Sequence, residues 1–100
     1  MPAHGVVMIQ GFACSETERT FNGDYSRRLP AQIQAVARRK LRLLHAVVKL
    51  DELRIPPANR LEALKGFRNG QHSIRINDQW RICFIWTPSG PTRVEIVDCH

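Results

Sequence analysis

Apolar residues along the chain switch spacing twice, and each switch marks a change of element. From Val6 to Ala13 the run is β-branched and apolar, which predicts a strand. Ser15-Glu16-Thr17-Glu18 follows with the S-x-x-E spacing of a capping box and so predicts a helix start. Asn22-Gly23-Asp24, a strong turn signal, keeps that helix short. Pro30 suits the first position of a second helix, and beyond it Ile33, Ala37, Leu41, Leu44 and Val48 recur at steps of three or four. Val36, Leu43, Val47 and Leu50 widen this stripe, giving a helix of about 19 residues and roughly 28 Å. Arg38, Arg39, Lys40 and Arg42 are expected on its solvated face.

Pro56-Pro57 stops any helical continuation, and from Gly66 onward turn residues separate short alternating runs. His72, Ile74 and Ile76 alternate with Gln71, Ser73 and Arg75, and Asn77-Asp78 offers a tight two-residue turn. The next strand sets Trp80, Ile82, Phe84 and Trp86 on one face, where the tryptophans read as packing rather than as base-stacking platforms. After Pro88-Ser89-Gly90-Pro91, the last run sets Val94, Ile96, Asp98 and His100 on one parity and Arg93, Glu95, Val97 and Cys99 on the other. The expected class is α+β: an N-terminal strand and two helices packed on one face of an antiparallel β-meander. Function is then to be sought on the uncovered face and its rims.

Bulk composition narrows the class of protein. One hundred residues, 43% hydrophobic and 24% charged, make a single globular domain. The longest apolar runs, Val6 to Ile9 and Ile82 to Trp86, are too short for a bilayer helix. Met1-Pro2-Ala3-His4-Gly5 lacks the basic start and long apolar stretch of a secretory signal, so a cytoplasmic location is expected, with no membrane partner. Cys14, Cys83 and Cys99 are odd in number and widely spaced, which suits reduced thiols. A zinc site made from them and His100 is disfavoured, since neighbouring Cys99 and His100 point to opposite faces of a strand. No cofactor is expected. Fifteen Lys and Arg against nine Asp and Glu leave a net charge of +6, a surface that attracts polyanions or an acidic protein.

Chemistry enters if the sheet gathers Leu64 to Gly70, Arg81 and the terminal Asp98-Cys99-His100 into one cationic cleft. RNA can be cut when its own 2′-hydroxyl attacks the adjacent phosphate, given a base, an acid for the leaving 5′-oxygen and cations for the developing charge. Arg81 can grip phosphate oxygens as a fork and Lys65 supplies a mobile point charge. His100 is a titratable group able to serve as acid or base, Glu62 is a competing base, and Asp98 is suited to orient His100 or pair with Arg81. A plainer reading pairs Arg81 with Glu95 across a hairpin and makes Lys65-Gly66 a strand end before a turn. Isolated His45 and His72 read as partly buried polar residues.

The run Pro56-Pro57-Ala58-Asn59-Arg60-Leu61-Glu62-Ala63-Leu64-Lys65-Gly66, then Ser73-Ile74-Arg75-Ile76-Asn77-Asp78-Gln79-Trp80-Arg81-Ile82 and the final Asp98-Cys99-His100, resembles the HigB-type plasmid-maintenance killer toxins. The likeness extends from about Met8 to His100, which leaves Met1 to Val7 as an extension ahead of a domain at 8–100. It implies a RelE-like fold and a cytoplasmic toxin held by a HigA-like helix-turn-helix antitoxin, with operator DNA reached only through that antitoxin. It also implies metal-free cleavage of messenger RNA on the 70S ribosome. Position by position, Lys65, Arg81, Asp98 and His100 match active-site residues, with Arg68 as a phosphate contact and Arg75 and Cys99 also facing RNA. Two positions depart from the pattern: Glu62 stands where some members carry histidine, and Cys99 replaces the tyrosine of the usual D-Y-H ending, which implies weakened activity. The rival readings are a ParE-like DNA gyrase inhibitor, which shares the fold, and a catalytically weakened antitoxin-binding module.

Overall fold

In the computed structural model, which describes residues 7–99, two helices lie against one face of a four-stranded antiparallel sheet. The helices are α1 (Ser15–Phe21) and α2 (Ala31–Ala46), and the strands are β1 (Glu62–Ala63), β2 (His72–Arg75), β3 (Trp80–Thr87) and β4 (Gly90–Asp98). Neighbours in sequence are neighbours in the sheet, as the meander pattern predicts. Short 3₁₀ turns at Leu50–Arg54 and Pro57–Asn59 carry the chain from α2 to β1. The α+β expectation holds, with the two-residue strand β1 as an unforeseen addition.

The core forms where the two periodicities meet. Ile33, Ala37, Leu41 and Leu44 of α2 pack with Ile74, Ile82, Phe84, Val94 and Ile96 of the sheet, all nearly or wholly buried. Trp80 and Trp86 lie partly buried against this cluster, as packing residues. Each buried Leu or Ile contributes roughly 1.5–3 kcal/mol. An exposed ion pair such as Arg54–Asp51 contributes about 0–1 kcal/mol, so the apolar stripe decides how α2 docks.

Four sequence expectations shift. Cys14, not Ser15, occupies the N-cap of α1; Ser15 is the first helical residue and no capping-box bond forms. Pro30 likewise caps α2 rather than opening it. The helix ends at Ala46 because Val47 turns to extended backbone, so Val47 enters the core while Val48 is 54% exposed. Asn77-Asp78 is not a two-residue turn: β2 ends at Arg75 and β3 begins at Trp80, leaving a four-residue connection in which Asn77 Oδ1 accepts from the backbone N–H of Gln79 and Trp80.

The N-terminal segment is a fifth correction. Its expected first residue, Val6, lies outside the described residues, as does most of the Met1–Val7 extension. From Met8 to Ala13 the chain runs parallel to β4 as an extended strap, with Phe12–Val94 as an isolated bridge. Gln10 and Ala13 N–H donate to the Pro91 and Val94 carbonyls (2.7 and 2.9 Å), and Val94 N–H donates to the Gly11 carbonyl (3.1 Å). The strap then gives way to α1, whose buried Thr17 accepts the Ile96 N–H on Oγ1 at 3.0 Å. The outer edge of β4 is thereby closed, which removes a row of peptide groups open to other chains. His45 pins the strap from α2 by accepting the Ile9 N–H on Nδ1.

Gly90 sits where strap and sheet are closest. Its φ is +122°, and an added Cβ would stand 2.1 Å from the Met8 carbonyl oxygen. Gly90→Ala is therefore expected to lower the unfolding free energy in urea by about 2 kcal/mol or more. Gly11→Ala, whose Cβ would meet only the Thr92 hydroxyl at 3.4 Å, should cost less than about 1 kcal/mol. Equal losses would show that the close approach at Gly90 carries no weight.

Candidate functional site

The pleat sends Ile74, Ile82, Phe84 and Ile96 toward the helices, and so turns Ser73, Arg75, Arg81, Cys83, Glu95 and Val97 to the other face. A bulge in β4 puts two residues, Arg93 and Val94, opposite Phe84, and Arg93 takes the left-handed φ of 51°. The bulge keeps Val94 in the core without disturbing the parity of Glu95 and Val97.

After β1, Lys65 caps a short 3₁₀ turn, Gly66–Arg68, that brings the chain back over this open face. The turn is closed by Asn69 N–H to the Gly66 carbonyl, and Leu64 N–H donates to the Gln71 carbonyl at 2.8 Å. Arg68 reaches down to Gln71 Oε1 (3.0 Å) and Glu95 Oε1 (3.6 Å). A cleft of about 330 Å³ results, lined by Lys65, Phe67, Arg68, Ser73, Arg81, Cys83, Val97, Asp98 and Cys99 among others.

Within the cleft Arg81 is firmly held. Its Nε donates to Ser73 Oγ (2.7 Å), its Nη2 donates to the Arg60 carbonyl (2.7 Å), and Glu62 Oε1 lies 3.4 Å from Nη2. Its side chain is 16% exposed, so these partners compensate a desolvated guanidinium, and Nη1 is left uncommitted among the described residues. The Lys65 ammonium, on the exposed rim, has no hydrogen bond or ion pair among the described residues. Asp98 accepts a hydrogen bond from Gln79 Nε2 at 3.0 Å, and Cys99 N–H is tied to the Gln79 carbonyl at 2.7 Å.

Five of the eight residues singled out in the sequence therefore share one cleft: Lys65, Arg68, Arg81, Asp98 and Cys99. Glu62 stands beside it, bound to Arg81 from the flank. Arg75 lies on the far side of Arg81, where it pairs with Asp78 and borders a second hollow with Arg60. His100 lies outside the described residues, one position beyond Cys99. The expected Arg81–Glu95 pair does not form: Arg81 is opposite Val97, while Glu95 is opposite Cys83 and is taken by Arg68. Burial pushes the Cys83 thiol up in pKa, against the pull of the Arg68 charge, which makes it a packing residue rather than a nucleophile.

Behind the cleft stands an arrangement the sequence did not announce. Lys40, placed by helical periodicity among solvated residues, is only 8% exposed, and its Nζ donates to Asn59 Oδ1. Asn59, wholly buried, donates through Nδ2 to the Leu53 and Ile55 carbonyls at 3.2 Å each. Arg60 follows in the left-handed region, at φ 47°, and presents the carbonyl that Arg81 grips. Ser73, the other anchor of Arg81, was visible in the alternating pattern only as a residue of the same face.

Residues 10–100 match the family described as RelE-like toxin of type II toxin-antitoxin system HigB. The chain belongs to this HigB-like toxin family, and its fold is the RelE-like α+β domain. Toxin HigB-1 of Vibrio cholerae serotype O1 is 43% identical over 70 residues, covering 69% of this chain and 74% of that protein. An uncharacterized protein of Haemophilus influenzae is 39% identical over 62 residues, covering 62% of this chain and 61% of its own length. Membership of a type II system makes the chain a toxin whose partner is an antitoxin. No helix among the described residues is long and apolar enough to cross a membrane.

Burial lowers the pKa of Lys40, with the charges of Arg39 and Arg75 acting in the same direction. Because the folded value lies below the unfolded one, the unfolded chain holds more protons between the two, and stability contributed by this group rises with pH across that interval. Relative to Lys40→Met, the parent chain should gain unfolding free energy as the pH is raised toward the ordinary lysine value of 10.5. A difference that is flat or falls over this range would mean that the ammonium is not desolvated.

Proposed function

We propose that this toxin is a ribosome-dependent endoribonuclease that cuts messenger RNA by attack of the 2′-hydroxyl on the adjacent phosphate, without a metal. The supporting observation is the convergence of Lys65, Arg68, Arg81 and Asp98-Cys99, from three separate stretches of chain, on one cleft. Phosphate is a ligand of matching charge for such a wall. Arg81, prepositioned by Ser73 and Arg60, binds the non-bridging oxygens through its uncommitted amine. Lys65, without an ion pair among the described residues, neutralises the charge that grows on the phosphorane. Arg68 extends the cationic surface along the RNA backbone, and Arg75 does so beyond Arg81.

Proton transfer is divided between the carboxy terminus and Glu62. His100 follows Cys99 directly and serves as the acid for the 5′-oxygen, with Asp98 as its orienting carboxylate. Glu62, held beside the cleft by Arg81, accepts the proton of the attacking 2′-hydroxyl as the base. The partner that restrains the toxin is a HigA-like helix-turn-helix antitoxin, through which operator DNA is reached, and the site of action is the cytoplasm, where ribosomes translate. Cys99 marks a weakened variant of this chemistry: too short to stack on a base or to reach the phosphate with a hydroxyl, it leaves unfilled the place a tyrosine takes in the family pattern.

Mapping of RNA 5′ ends after brief expression tests the reading. New ends within translated frames are expected; DNA damage with intact message would favour gyrase inhibition instead. Lys65→Ala and Arg81→Ala should slow cleavage by about 100-fold or more, whereas Arg39→Ala on the exposed face of α2 should change it by less than about threefold. Equal effects would remove the two cations from the chemistry. Deoxyribose at the attacking sugar should abolish cutting, since the nucleophile is then missing. Cys99→Tyr is expected to raise the cleavage rate, and an unchanged or lower rate would exclude Cys99 as the cause of attenuation.

A further inference from the structure

Phe67 is the most exposed large apolar residue described, at 97%. Its ring takes no part in the core, which lies on the opposite face of the sheet. Leaving a full aromatic ring in water forgoes the stabilisation that its burial would bring, so folding gives no reason for it to stand here. The turn that carries it is well fixed nonetheless. Asn69 and Gln71 N–H donate to the Gly66 and Arg68 carbonyls at 3.0 Å each, and Arg68 is anchored on Gln71 and Glu95. Gly66, with φ of +68°, makes the tight start possible. The ring therefore projects from a held backbone between Lys65 and Arg68 and lines the same cleft as Arg81.

Its near neighbour is a cation: the Arg68 guanidinium carbon lies 6.0 Å from the ring centroid. An aromatic face beside a guanidinium, at the lip of a cationic cleft on a chain of net charge +6, matches the composition of a single-stranded nucleic acid, whose bases and phosphates alternate. We propose that Phe67 is a substrate-positioning residue that stacks on an unpaired nucleobase next to the phosphate held by Lys65 and Arg81. This rests on the nuclease reading and assigns to Phe67 the base contact that Cys99 is too short to make. Stacking is indifferent to base identity in its geometry, so it adds affinity without a hydrogen-bonded code.

The test compares Phe67→Ala, Phe67→Leu and Phe67→Trp with the parent chain in cleavage of message on programmed ribosomes, with Lys65→Ala as reference. Since Phe67 is exposed, all three variants should fold. A stack made equally in the ground and transition states appears in KM rather than kcat. Phe67→Ala and Phe67→Leu are both expected to lower kcat/KM by about fivefold or more, through KM, while Phe67→Trp keeps or improves it. Parent-like values for Phe67→Leu would overturn stacking in favour of plain apolar contact. Parent-like cleavage by all three, with Lys65→Ala defective, would overturn the Phe67 role and leave the nuclease reading standing. Unchanged cleavage with lost neutralisation by the antitoxin would assign the ring to a protein partner and overturn the proposal equally. No cleavage by the parent chain would overturn both.

Discussion

A guanidinium largely withdrawn from water needs acceptors that do not move, and the architecture around the cleft is organised to supply them to Arg81. One acceptor comes from the neighbouring strand, Ser73 Oγ, and is delivered by strand register alone. The other two, the Arg60 carbonyl and the Glu62 carboxylate, come from the connection that enters the sheet. That connection has little regular structure of its own and takes its rigidity from buried Asn59, braced against Lys40 of α2. The helix layer and the open face are thus mechanically joined through one polar contact across the molecule. A polar pair of this kind is costly to desolvate, and its value lies in the single conformation it enforces on the segment after it.

Much of this fold is written in periodicity. The α2 stripe, the alternation in β2 and β3, and the turns that separate them are dictated by burial along one face at a time, which a linear pattern records directly. Boundaries are less legible, because they depend on partners from elsewhere. Ser15 has the spacing of a cap, yet Thr17 of the same box accepts the Ile96 N–H on its hydroxyl oxygen, and the helix starts from Cys14 instead. Val48 fits the stripe by count but falls past the point where the backbone leaves the helix.

The site was legible to a different degree. The chemistry and motif spacing of Lys65, Arg81 and Asp98-Cys99 point to phosphate, and the sheet brings them together. The partnership of Glu62 with Arg81 was not readable, since β1 is two residues long and has no alternation to reveal its register. Lys40 carries the residue type of a solvated face, and only the tertiary arrival of Asn59 makes burial of its ammonium tolerable. Phe67 is silent in the sequence because an aromatic in a glycine-bounded turn carries no periodic signal; its significance is wholly a matter of exposure and neighbours.

The strap along β4 limits how another protein can take hold of this one. With the Val94 and Ile96 amides answered by Gly11 and Thr17, that margin of the sheet has no vacant ladder to extend, and β-augmentation is closed to a partner there. At the opposite margin β1 offers two residues, too short a template for an added strand. An inhibitor docking on these described surfaces must therefore engage side chains, above all the arginines, rather than borrow the backbone.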